Sequence, residues 1–242
     1  RDKVLHLVRD RLGIKPLFVA RRGEQCYFAS ELKSLHASKA IALEIDPASV
    51  ASFVRFGYVP APFTIYRGVE KLMPGEHRAI SLDGRWTGRN YWSAADAASR
   101  GLASPLDVSD AEAIERLSVL LGDAVSRQMM ADVPLGAFLS GGIDSSAIAG
   151  LMAAARQGPV RTFSIGFPEL GFDESKHAAA VARHLGTDHT ELTVTAADAL
   201  AVVPQLAQMY DEPFADSSQI PTYLVSKLTR QYVTVALSGD GG

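Results

Sequence analysis

Between residues 133 and 150 the chain reads VPLGAFLSGGIDSSAIAG. An apolar run ends at Ser140-Gly141-Gly142, passes Ile143-Asp144-Ser145-Ser146 and continues into alanine-rich sequence that favours a helix. Such a run suits a strand buried on both faces. Two glycines remove the Cβ atoms that would hold an anion away from the backbone amides. The first amides of the following helix have no partner within it and point at whatever anion sits there. Ser145 and Ser146 add hydroxyl donors, and Asp144 is a carboxylate suited to a divalent cation rather than to a phosphate. The string therefore implies a nucleotide or pyrophosphate site. Its glycines and serines alone would equally suit a tight strand-to-helix turn. No Gly-Lys-Ser/Thr follows, so this is not a Walker A loop. A second glycine–serine loop, Ser238-Gly239-Asp240-Gly241-Gly242, leaves the strand-like run VTVAL at 233–237 and also carries one acid.

The segments around these loops alternate between helix and strand. A helix is expected over 110–129, with Ile114, Leu117, Leu121, Val125 and Met129 at spacings of three and four. After the loop helix come a strand over 160–167, a helix over 173–185, a strand over 190–194, helices over 196–210 and 219–230, and the last strand. That order implies a parallel sheet with helices on both faces. In such sheets ligands bind beyond the carboxyl ends of the strands, so both loops should meet on one edge.

Residues before about 93 read differently. Strands at 4–8, 17–20 and 26–29 suggest an antiparallel meander. A short helix follows with Ser30 as its expected cap, and Asp46-Pro47 opens another to about Phe56. Short strand character recurs over 69–80, and Tyr91-Trp92 reads as a last strand pair. Residues 93–106, rich in alanine, serine and glycine without apolar periodicity, form the expected linker between a domain at 1–92 and one at 107–242.

The 242 residues are 47% hydrophobic and 21% charged, with a formal net charge of −3. That is ordinary soluble globular composition, with no electrostatic case for nucleic acid or a membrane surface. No apolar run reaches the roughly 20 residues of a membrane-spanning helix. A lone cysteine, Cys26, excludes an internal disulfide framework and fits a reducing cytoplasm. The arginines Arg9, Arg11, Arg21 and Arg22 alternate with acids, which favours a solvated face or a domain-interface ion pair. His184 and His189 flank a turn without metal-ligand spacing and are expected at the surface. Both ends look cut: Arg1 begins inside strand-like sequence and Gly242 stops in a loop.

Ser140-Gly141-Gly142-Ile143-Asp144-Ser145-Ser146 resembles the PP-loop of ATP pyrophosphatases, which cleave ATP between the α- and β-phosphates to adenylate a substrate. The upstream segments 10–17, 28–33 and 69–75 and the later run DEPFADSS at 211–218 extend the likeness. Together they resemble class II, glutamine-hydrolysing asparagine synthetases of the B type, through essentially the whole chain. The resemblance implies the C-terminal part of an N-terminal-nucleophile glutaminase domain (α+β), then the N-terminal part of a doubly wound α/β PP-loop domain. It implies ATP held by Phe138, Leu139, Ser140, Gly141, Gly142, Ser145, Ser146, Ser238 and Gly239, with Ile165 at the adenine pocket. It further implies magnesium on Asp144 and proton transfer at Asp240 when ammonia attacks; Asp173 falls in a segment associated with pyrophosphate, though a helix N-cap is the better account of it. Small-molecule substrates (aspartate, glutamine or ammonia, and ATP), a cytoplasmic enzyme and a homodimer follow from the same likeness. The resemblance implies a glutaminase nucleophile, an N-terminal cysteine, upstream of Arg1 and a catalytic lysine beyond Gly242, so this piece alone is expected to be inactive. Two other readings stand beside it: a related amidotransferase or cyclase acting on a sugar acid, a peptide or a β-lactam precursor, and a non-catalytic homologue.

Overall fold

The computed structural model describes residues 3–156, 158–167 and 174–240. The chain divides into two units, Arg1–Asp107 with Ala207–Asp216, and Val108–Leu206 with Ser217–Gly242.

The first unit contains β1 (Val4–Val8), β2 (Phe18–Arg22), β3 (Gln25–Ala29), α1 (Leu32–Ser38), α2 (Pro47–Phe56), β4 (Val69–Lys71), β5 (Glu76–Ser81), β6 (Trp86–Asn90) and α3 (Ala94–Ala103). Its strands form two antiparallel sheets, ordered β1-β5-β6 and β3-β2-β4. The simple meander does not form, because β1 pairs with β5 from Val4 against Ser81 to Val8 against His77. The loop between β1 and β2 is folded by its own side chains and carries the chain into the other sheet. The Arg9 guanidinium donates to the carbonyls of Lys15, Leu72 and Gly13 at 3.1, 2.6 and 2.8 Å. The Asp10 carboxylate accepts from the amides of Ile14 and Lys15, and these bonds hold its carboxyl below the usual range. Arg9 is therefore a loop brace rather than an ion-pair partner, and Arg21 lies 5.5 Å over the Trp86 ring.

Alternation along β2 buries both of its faces. Val19 packs with Leu7, Leu72 and Ile80, while Phe18 and Ala20 pack with Leu32 and Leu35 of α1. Cys26, half-buried in β3, has its thiol pKa raised by that burial. Two boundaries differ from expectation. The last strand of this unit is Trp86–Asn90 and stops before Tyr91-Trp92. The expected linker contains a helix, because alanine favours helix even without an apolar face and the Ser93 hydroxyl caps it through the Asp96 amide; no residue of α3 is buried.

The second unit contains α4 (Asp110–Gln128), β7 (Leu135–Phe138), α5 (Ile143–Ala155), β8 (Arg161–Gly166), α6 (Ser175–Leu185), β9 (Asp188–Thr193), α7 (Ala196–Val202) and a 3-10 turn at Val203–Gln205; the short α8 (Leu206–Met209) starts at its residue 206 and passes into the 207–216 segment of the first unit, and α9 (Gln219–Thr229) and β10 (Val235–Leu237) complete the second. One parallel sheet of order β10-β7-β8-β9 runs through it. Leu135 and Ala137 pack with Val125 of α4 and Met152 of α5, and Phe163 packs with Leu228 of α9 and Val233. Helices thus cover both faces, as the alternating pattern requires. The expected helix over 196–210 is interrupted at the 3-10 turn, where Pro204 has no amide to continue the ladder.

The run DEPFADSS lies outside this α/β framework for most of its length, since residues 207–216 belong to the first unit. Asp211 caps α1 from far along the chain: its carboxylate accepts from the Leu32 and Lys33 amides at 2.6 and 3.3 Å. The expected cap, Ser30, is displaced; the N-cap position is Glu31, which offers no side-chain bond. Glu212 accepts from the Ile65 amide at 2.6 Å and pairs with Lys71 at 2.5 Å. Lys71 also donates to the Val59 carbonyl at 2.6 Å. The Ala215 amide meets the Gly57 carbonyl at 2.7 Å.

At the Glu212–Lys71 pair both side chains are largely buried, 13% and 16% exposed. Removing one partner strands the other charge away from water. Glu212→Ala is expected to destabilise the first unit by about 2–3 kcal/mol, read as a lower urea midpoint. Arg116→Ala, which breaks an exposed helical pair with Glu112, should cost under about 0.5 kcal/mol. Equal midpoints for the two variants would contradict this account.

Candidate nucleotide-binding site

A cavity of about 480 Å³ lies in the second unit, lined from the ends of β7, β8 and β10 and from α9. Ten of the sequence-derived site residues line it: Phe138, Leu139, Ser140, Gly142, Asp144, Ser145, Ile165, Ser238, Gly239 and Asp240. Gly141 and Ser146 do not. Asp173, Gly241 and Gly242 lie outside the described residues.

The loop after β7 is braced by its own hydroxyls. Ser145 Oγ sits 2.9 Å from Ser140 Oγ and accepts from the Ser140 amide at 3.2 Å, while the Gly142 amide donates to Ser140 Oγ at 3.3 Å. Gly142 is the N-cap of α5 and provides no side-chain cap, so no side chain covers the first-turn amides. Ser146, one residue further around the helix, is rotated by about 100° from Ser145. Its Oγ is buried without a hydrogen-bond partner among the described residues, and the residue does not line the cavity.

Gly141 also meets a steric requirement of the fold. Its φ is +82°, and a Cβ there would lie 2.6 Å from the Ala178 amide nitrogen and 2.7 Å from His177 Cβ. The glycine lets the loop close on the start of α6. Gly239 does the same between the two loops: a Cβ would lie 2.7 Å from the Ser145 amide nitrogen and 2.9 Å from the Asp144 carbonyl carbon. The two glycine–serine loops touch, and Ser140 and Ser238 share one cavity.

Asp144 and Asp240 are exposed at this cavity, and their carboxylates make no hydrogen bond or ion pair among the described residues. No group of three or more His, Cys, Asp or Glu able to hold a metal occurs among those residues. A cation here would need oxygens from a ligand. Magnesium suits that arrangement, since it usually takes one or two carboxylates and completes its octahedron with substrate phosphates and water.

The sequence left several lining residues unnamed: Phe163, Ser164, Phe167, Glu174, Pro221, Thr222 and Val225. Phe163 and Ser164 adjoin Ile165 on β8, so the strand itself was a usable signal. Pro221, Thr222 and Val225 carry no local signal and arrive through the packing of α9. His189, expected at the surface, is half-buried on β9 with both ring nitrogens hydrogen-bonded.

The glycines separate folding from binding. Gly141→Ala forces both a strained φ and a backbone clash and should destabilise the second unit by about 2–4 kcal/mol by thermal or urea unfolding. Gly142→Ala meets only Ser140 Oγ at 3.3 Å. It should fold with stability within about 1 kcal/mol of the parent while weakening nucleotide binding, measured by equilibrium titration.

Comparison with known proteins agrees with this geometry. Residues 116–242 match the asparagine synthase family model and residues 1–92 match that of a glutamine amidotransferase domain. The glutamine-hydrolysing asparagine synthetase 1 of Bacillus subtilis is 36% identical over 240 residues, covering 99% of this chain and 37% of that protein. A putative glutamine-hydrolysing asparagine synthetase 2 of Methanocaldococcus jannaschii is 38% identical over 238 residues, 97% of this chain and 45% of its own length. A putative glutamine-hydrolysing asparagine synthetase of Mycobacterium bovis is 37% identical over 242 residues, 98% of this chain and 36% of that protein. The chain thus spans less than half the length of these relatives. Among solved structures, an NMN synthetase from Francisella tularensis superposes with a TM-score of 0.38 and 17% identity over 50% of this chain and 52% of that one, too slight a likeness to carry an inference. With more than half of its length matched by one family model, and near-complete alignment to proteins bearing that family's name, the chain belongs to the asparagine synthase family.

Proposed function

We propose that the whole protein containing this chain makes asparagine from aspartate, ATP and glutamine-derived ammonia. The observation carrying this reading is the pair of side-chain-poor loops, from the ends of β7 and β10, that line one cavity and bring an unpaired carboxylate each. The relatives' names supply the acceptor and the nitrogen donor. In this reading residues 1–92 are the C-terminal portion of a glutaminase domain, 93–106 the linker, and 107–242 the N-terminal portion of a doubly wound PP-loop domain. Homodimer assembly and a cytoplasmic location complete the proposal; among the described residues no helix is long and apolar enough to cross a membrane.

ATP enters with its triphosphate against Ser140, Gly142 and the open first turn of α5. The amides there stabilise charge that builds on the leaving pyrophosphate. Magnesium held by Asp144 and phosphate oxygens would neutralise the same charge. The aspartate side-chain carboxylate attacks the α-phosphorus, forming β-aspartyl-AMP and releasing pyrophosphate. Ammonia then attacks the acyl carbon, AMP leaves, and Asp240 accepts a proton from the nitrogen.

ATP–pyrophosphate exchange by the full-length protein over a panel of carboxylic acids tests the reading, and aspartate is expected to support the fastest exchange. Asp144→Asn should lower exchange at least about 100-fold and raise the magnesium requirement, the size expected for losing one preorganised charge contact. Asp240→Asn should keep exchange within a few-fold while amide formation falls on the order of 100-fold, because the proton moves after adenylation. Exchange with another acid but not with aspartate would assign a different acceptor. Absence of exchange with every acid, alongside tight ATP binding, would favour a non-catalytic homologue.

A further inference from the structure

One polar chain inside the sheet is left unused by the chemistry above. On β8 the face opposite Phe163 carries two hydroxyls, Thr162 and Ser164, 0% and 4% exposed. A fully buried position in a parallel sheet favours an apolar residue, and a buried hydroxyl is tolerated only when bonded. Both find the same partner. Thr162 pairs in register with His189 of β9. His189 Nδ1 lies 2.9 Å from Thr162 Oγ1, and Nε2 lies 3.1 Å from Ser164 Oγ. Thr162 Oγ1 is also 2.8 Å from Thr187 Oγ1, whose hydroxyl donates to the Ala182 carbonyl at 3.5 Å. Burial lowers the His189 pKa, so the ring is neutral near neutral pH and has one N–H and one acceptor nitrogen.

The direction of the protons follows. Only one direction makes every one of these contacts a hydrogen bond: Thr187 gives its proton to the Ala182 carbonyl and accepts from Thr162. Thr162 has then spent its proton and accepts from Nδ1–H. Nε2 is left as an acceptor and takes the proton of Ser164. At the far end of this chain Ser164 lines the cavity with its proton turned inward. What it can offer a ligand is a lone pair. Phosphate oxygens have no proton to give, so Ser164 does not suit the triphosphate. Its neighbours Phe163, Ile165 and Val225 supply apolar wall instead.

Resting on the nucleotide reading of the cavity, we infer that Ser164, oriented by His189, is a specificity-determining residue that accepts a hydrogen bond from an N–H or O–H of the bound nucleoside. His189 is a positioning residue and does not touch the ligand. The donor is the purine amino group or a ribose hydroxyl, and analogues separate them: inosine triphosphate lacks the amino group and 2′-deoxy-ATP lacks one hydroxyl.

The test uses the full-length protein with magnesium, measuring equilibrium dissociation constants for the three nucleotides and KM against kcat for ATP. Ser164→Ala should weaken ATP on the order of tenfold, the worth of one hydrogen bond. It should leave kcat within a few-fold and bring the affinity for one analogue level with that for ATP. Loss of discrimination against inosine triphosphate assigns the amino group, and loss against 2′-deoxy-ATP assigns the ribose. His189→Leu frees the Ser164 hydroxyl to rotate, so the same discrimination should fall while thermal unfolding shows a folded protein. If Ser164→Ala binds all three nucleotides in the parent's ratios, the inference is overturned. If His189→Leu lowers only the melting temperature, the positioning role is overturned. A parent protein that binds none of the three fails the nucleotide reading itself, a result distinct from either.

Discussion

The site depends on a shortage of space. At Gly141 and at Gly239 a single extra carbon would fall within 3 Å of backbone atoms of another segment. Real Cβ atoms do not approach that closely, and the backbone on the far side has no rotamer with which to yield. The loop after β7 therefore closes on α6, and the loop after β10 closes on the start of α5. Those closures set Ser140, Asp144, Ser238 and Asp240 around one cavity. In sequence the glycines read as room for a phosphate; in the structure Gly141 and Gly239 also leave room for protein. At Gly142 a Cβ would meet little but Ser140.

The acids of DEPFADSS are held by the protein itself. Asp211 and Glu212 are charged, largely buried and in a segment characteristic of the family, which invites a catalytic reading. Their oxygens are instead engaged by the amides of Leu32, Lys33 and Ile65 and by the Lys71 ammonium. Buried carboxylates of this kind are tolerated because each finds several donors. The segment is a structural clasp of the first unit, although it lies within the stretch that matches the synthase model. Against it, Asp144 and Asp240 are exposed at the cavity and their carboxylates have no partner among the described residues. Where a carboxylate's bonds go distinguishes scaffold from chemistry better than its motif does.

The α/β half was legible because its signals are local. An apolar run followed by a glycine turn and an alanine-rich helix specifies strand, turn and helix with little outside help, and strand–helix alternation leaves few topologies. Ten of the named site residues come to one cavity for that reason. The antiparallel half was less legible, since antiparallel strands pair with partners chosen by loop geometry. Arg9 and Asp10 fold the loop between β1 and β2 and send the chain to another sheet, and nothing in the alternation of 4–8 reveals that. Ser30 looks like a helix cap by type and place, yet the carboxylate of Asp211, 179 residues beyond Leu32, takes the position.

The sequence by itself determined the two glycine–serine loops at strand ends, the parallel sheet and the family, because each rests on residue type and spacing along a few turns of chain. Only the tertiary structure decided which glycines face protein, which acids are satisfied, and that His189 sits inside the sheet beneath Ser164. Those outcomes depend on distances between segments far apart in the chain, and a hydrogen bond or a clash exists only once both sides have been brought within about 3 Å of each other.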